Sequence, residues 1–67
     1  MAIARVTEIS ATSTQNFDDA IKNGLERANQ TLRNVKSAWI KEQQVWVEGG
    51  AVTEYQVNML VTFVLDD

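Results

Sequence analysis

The chain has 67 residues, 45% of them apolar, with six basic and nine acidic side chains for a net charge of −3. That length accommodates one domain, residues 1–67, and no basic run supplies the electrostatic footprint of a nucleic-acid binder. With no cysteine and no histidine, disulfides, thiolate metal sites and the commonest general base are excluded.

The N-terminal residues Met1 to Arg5 lack the apolar stretch of a signal peptide, and no window reaches the roughly 18 apolar residues of a membrane span. A soluble, cytoplasmic protein is expected. Residues 3–10 are rich in β-branched types and predict a first strand. Residues 11–15 are a polar connection. Asn16 is a candidate N-cap, with Asp18 and Asp19 in the first turn, at the positive end of the helix dipole. Asp19 stands where a capping-box side chain would reach back.

The helix is predicted from Phe17 to about Arg33. Phe17, Ala20, Ile21, Gly24, Leu25, Ala28 and Leu32 share one apolar face. Gly24 lies on that face, where glycine costs about 1 kcal/mol against alanine in an exposed helix. Its presence predicts close approach of a strand backbone or a large side chain, the alternative being a tolerated weak spot. Asn34 and Val35 close the helix.

Residues 36–47 predict a second strand, Gly49-Gly50 a hairpin turn, and residues 52–65 a third strand. In the third, Tyr55, Val57, Met59, Val61, Phe63 and Leu65 point one way, and Gln56, Asn58, Leu60, Thr62 and Val64 the other. Met59 is therefore a core residue. In the second, Ala38 and Ile40 are placed toward the helix, with Glu42 and Gln44 continuing that side. Ser37, Trp39, Lys41, Gln43 and Val45 fall on the opposite side. The fold class is α+β. It has the order β-α-β-β, with a three-stranded antiparallel sheet wrapped on one amphipathic helix.

A chain this short buries only about 60% of its unfolded surface. Its one helix covers one face of the sheet. The other face mixes polar groups with Leu60, Val64 and Trp39, a pattern that marks an interface. Copies of the chain, or a ligand between copies, are expected to cover it.

Val6-Thr7-Glu8-Ile9, Thr12-Ser13, Phe17-Asp18-Asp19-Ala20-Ile21 and Tyr55-Gln56-Val57, taken in order, resemble the corresponding segments of the dodecins, small flavin-binding proteins, and the resemblance spans nearly the whole chain. Val6-Thr7-Glu8-Ile9 is similar to the family's opening strand. Thr12-Ser13 and then Phe17-Asp18-Asp19-Ala20-Ile21 resemble its helix entry, with Phe17 where tryptophan is common. Glu26-Arg27-Ala28 and Thr31-Leu32-Arg33 resemble its helix end, and Glu42-Gln43 its second strand. Tyr55-Gln56-Val57 and Phe63-Val64-Leu65-Asp66-Asp67 resemble its last strand. The resemblance implies a hollow homododecamer built from trimers. It also implies a bound flavin (riboflavin, FMN or FAD), held as stacked pairs across two-fold axes.

In that family a tryptophan early in strand two lies against the isoalloxazine ring, and the glutamine of Tyr-Gln-Val bonds the ring edge. The glutamine carries over as Gln56. The tryptophan position falls on Ser37, so one wall of the usual sandwich is missing. Trp39 is two residues on, on the same side of the strand and about 6.6 Å away at ~3.3 Å per residue. The candidate cofactor-binding residues are thus Gln56, Trp39 and Ser37. Trp39 serves either as a stacking platform or as an apolar anchor in a subunit contact. Gln56 serves either a ligand edge or a cross-strand hydrogen bond.

Trp46 reads as packing or rim. Glu8, Asp66 and Asp67 either collect a hard cation at a symmetry axis or remain solvated carboxylates. No Gly-rich phosphate loop or serine nucleophile motif is present, so no enzyme is expected. Two functions remain. One is flavin storage or sequestration. The other is a dodecin-like shell without flavin, acting as scaffold or holding another small ligand or metal ion.

Overall fold

The long alternating segment near the C-terminus forms the centre of the sheet. The computed structural model describes residues 3–65, arranged as β1 (Ala4–Ser13), α1 (Phe17–Thr31), β2 (Val35–Glu48) and β3 (Ala51–Val64). The strand order is β1-β3-β2, and both pairings are antiparallel. The expected β-α-β-β topology is therefore the observed one.

β1 runs further than its β-branched composition predicts. Ala11, Thr12 and Ser13 pair with Val57, Gln56 and Tyr55 of β3, so ladder pairing with a long neighbour overrides the weak strand preference of Ala11 and Ser13. At the end of β1 the buried Ser13 donates from Oγ to Asp19 Oδ2 at 2.6 Å. Asp19 thus ties α1 to β1 rather than closing a capping box. The cap itself is Asn16, whose Oδ1 accepts from the Asp19 N–H at 2.7 Å.

α1 ends at Thr31, short of the expected Arg33. Leu32 has already left the helical region (φ −108°, ψ 135°), while its N–H still bonds to Ala28 O. Asn34 then takes φ 61°, a left-handed conformation that asparagine tolerates better than most residues. Its carbonyl accepts from Val64 N at 3.1 Å, which starts β2 alongside β3.

The predicted apolar face of α1 is the one that packs. Ala20, Val57, Met59 and Val61 have no exposed surface, and Ile9, Ala11, Phe17, Ile21, Leu25 and Leu32 pack around them. Phe17 meets Tyr55 edge to face with centroids 5.2 Å apart. At Gly24 the helix packs tightly on the strands, and its two nearest neighbours there, Met59 and Ala11, approach through side chains.

β2 and β3 join through Gly49 (φ 60°) and Gly50 (φ 81°). Positive φ at both central residues of a two-residue loop is the type I′ requirement. The ladder then carries three irregularities. Lys36 and Lys41 are extra residues on β2, and Thr53 is extra on β3. The Thr53 and Lys41 bulges offset each other. Residues 37–40 and 47–48 keep the simple register, while residues 42–46 between them are reversed in facing.

This overturns part of the predicted facing. Glu42 and Gln44 are opposite Asn58 and Gln56, on the bare side. Gln43 and Val45 are opposite Val57 and Tyr55, on the helix side. The alternation was read through a bulge that no period-2 pattern reveals. Ala38 and Ile40, before the bulge, do share the helix side with Val61 and Met59.

The helix is too short for the hairpin. α1 has 15 residues and so spans about 22 Å. β2 and β3 have 14 each and span about 46 Å. The far arm of the hairpin projects beyond the helix, giving overall dimensions of 51 × 19 × 13 Å. Along it Val47 and Val52 are 61% and 46% exposed. Among the described residues, no helix is long and apolar enough to cross a membrane.

Candidate ligand-binding face

The side of the sheet away from α1 carries the expected site residues, in two groups. Ser37 and Trp39 are opposite Thr62 and Leu60. They share this face as expected, and Trp39 is 71% exposed. With Ala38 and Thr62 they line a hollow of about 160 Å³. Pockets that enclose a small ligand measure roughly 300–1,000 Å³, so this one cannot enclose a flavin ring without walls from elsewhere.

Gln56 forms the second group. It lies four residues from Leu60 along β3, about 13 Å from the strand position facing Trp39. Within one chain, the fold does not bring Gln56 to Trp39 or Ser37. It brings it to Trp46. The Trp46 indole Nε1 donates to Gln56 Oε1 at 3.0 Å. Gln56 Nε2 donates to Ser10 Oγ at 2.8 Å and to Asn58 Oδ1 at 3.2 Å. Asn58 Nδ2 in turn donates to Glu42 Oε1 at 3.1 Å.

Trp46, read from sequence as packing or rim, and Glu42, Asn58 and Ser10 are the members of this network that sequence reasoning did not assign to it. A regular hairpin counted back from Gly49-Gly50 places Trp46 on the helix side. Only the Thr53 bulge turns it to face with Glu54 and Gln56. The sequence signal that existed was proximity, since Trp46 and Gln56 flank the same turn within one pleat of each other.

Lys41, the bulge residue, reaches across β3 to Glu8 at 3.3 Å, with both side chains 48% exposed. An exposed pair of this kind contributes at most about 1 kcal/mol. Glu8 is thereby engaged with a cation of its own chain. Asp66 and Asp67, its expected companions, lie outside the described residues. Among the described residues no group of three or more acidic side chains is placed to hold a metal.

Two larger hollows, about 540 and 520 Å³, flank the helix and include from the site groups only Ser10 and Ser37 respectively. The first runs between α1 and the free edge of β1, past Thr7, Ile9, Gly24 and Ala28. The second lies between α1 and the start of β2. They are the gaps left where one helix covers a wider sheet, and neither touches Gln56 or Trp39.

The chain matches the dodecin family model over residues 3–66. It is similar to the solved dodecin of Streptomyces davaonensis, with 39% identity, TM-score 0.94, and 98% and 97% of the two chains covered. It is similar to the dodecin of Streptomyces coelicolor at 33% identity, TM-score 0.94, covering 98% and 94%. A Thermus thermophilus protein gives 31% identity and TM-score 0.94, covering 100% and 98%. No curated protein matches the chain.

Proposed function

The chain belongs to the dodecin family, known for flavin binding, and on that premise we propose that it is a non-enzymatic flavin-sequestering protein that works as a homododecamer. The observation that carries this reading is the half-buried Gln56 on the bare sheet face, held by a network that orients its amide. The flavin ring edge bonds to Gln56, and the ring face stacks on an aromatic wall. Trp39 supplies that wall from a neighbouring copy, because within one chain it stands too far along the sheet. Ser37 leaves room beside it. An electron-rich indole against the ring quenches its excited state, which suits storage or photoprotection.

Assembly is supported by the same geometry. The hairpin arm and the bare face leave Trp39, Val47 and Val52 exposed, and sister copies remove them from water. The lack of cysteine suits the cytoplasm. Titrating riboflavin while following its fluorescence tests the flavin reading. Quenching at micromolar protein is expected, and undiminished fluorescence would remove it.

Ser37 favours a second reading, a dodecin shell without flavin that serves as scaffold or holds another small ligand or ion. The absorption spectrum of the purified protein separates the two. A yellow protein with flavin bands supports the first.

A further inference from the structure

The bare face carries a hydrogen-bonded relay whose direction is set at both ends. The Trp46 indole N–H can only donate, and the Glu42 carboxylate only accepts. Between them lie two side-chain amides, each of which has an oxygen end and a nitrogen end. Only one arrangement satisfies every contact. Gln56 turns Oε1 to Trp46, and Asn58 turns Nδ2 to Glu42. That leaves Asn58 Oδ1 for Gln56 Nε2. The other Nε2 hydrogen goes to Ser10 Oγ.

We propose that this relay makes Gln56 an acceptor-only reader of its ligand, and that its two fixed ends, Trp46 and Glu42, set this specificity. Both Nε2 hydrogens are committed within the chain. Oε1 has two lone pairs, and Trp46 occupies one. What Gln56 offers outward is therefore a single acceptor, which matches a planar heterocycle carrying a ring N–H. A ring edge that presents only carbonyl oxygens finds no donor there. The inference rests on the flavin reading above, since the isoalloxazine ring has one imide N–H at its edge.

The test compares riboflavin with its N3-methyl derivative, which lacks that N–H. Losing one such bond and leaving its partner unsatisfied corresponds to about tenfold in affinity. Fluorescence titration is expected to give at least about that preference for riboflavin in the native protein. Trp46→Phe combined with Glu42→Gln removes both fixed ends of the relay, so the amide can turn and offer N–H to a ring carbonyl. The preference then falls below about threefold. Ser10→Ala frees one Nε2 hydrogen and narrows the preference in the same direction. If methylation acted only by bulk, both variants would keep the native ratio, and that result overturns the proposal. Equal binding of the two flavins by the native protein overturns it as well.

Binding of neither flavin would overturn the flavin reading, and the specificity with it. The relay is then judged alone, by hydrogen exchange of the two indole N–H groups in ligand-free protein. The Trp46 indole is expected to exchange more slowly in the native protein than in Gln56→Leu, with Trp39 unchanged between them. Equal Trp46 rates in the two proteins would show that the relay does not form.

Discussion

Met59 Cε closes over Gly24 so tightly that a Cβ on Gly24 would stand 2.6 Å from it and 2.9 Å from Ala11 Cβ. The thioether can swing aside, but Ala11 is part of the β1 ladder and moves only with its strand. Gly24→Ala should therefore be destabilising despite its better helix propensity. Overpacking costs about 2 kcal/mol and propensity offsets about 1, leaving a net loss of about 1 kcal/mol. The urea midpoint at fixed protein concentration measures it, and a midpoint above that of the native chain would mean that the helix is not held this close.

Ser13→Ala removes the 2.6 Å bond to the Asp19 carboxylate and the Oγ that accepts from Gln15 N at 2.9 Å. Asp19 keeps partial access to water, so the expected loss is about 1–2 kcal/mol rather than the full value for a buried charged bond. Thermal melts should show it. Ser13→Thr retains the hydroxyl and is expected to recover most of the difference.

Leu60→Glu places a carboxylate on the bare face directly opposite Glu8 in the ladder. Like charges across a strand pair repel, and a charge at a subunit contact must be desolvated. Loss of assembly and loss of fold are expected together, by light scattering and circular dichroism. Soluble, folded monomers from this variant would show that the oligomer does not sustain the fold.

Ser37→Trp rebuilds the aromatic wall that the family resemblance implies at this position. Ser37 is exposed and lines the hollow beside Trp39, so the larger side chain meets no packed core. Aromatic stacking beyond simple burial is worth about 0.5–1.5 kcal/mol, or up to about tenfold in affinity. Riboflavin titration of the variant should show tighter binding. An unchanged affinity would place the ring away from Ser37.

Periodicity made most of this fold legible. The apolar stripe of α1, the alternation of β3 and the paired glycines each answer to a local rule, and each is found where the rule puts it. The misses have a common cause. Ser13 is polar, yet its strand continues because β3 is there to pair with. Leu32 is apolar and in phase, yet the helix stops before it because the chain must turn through Asn34 to enter β2. Gln43 and Trp46 change sides because extra residues at Lys41 and Thr53 shift the ladder. Propensity describes a residue and its near neighbours, whereas a bulge belongs to two strands at once.

The candidate site divides along the same line. Gln56, Trp39 and Ser37 were placed on one face from the pattern alone, because alternation along an unbroken strand is a property of the backbone. That Gln56 is bonded to Trp46 and not near Trp39 depended on the register between β2 and β3. The chain's own sequence determined an elongated sheet, one helix and a bare face that a single copy leaves open. Only the tertiary structure decided which side chains meet on that face, since a one-residue slip in pairing turns a whole run of them over.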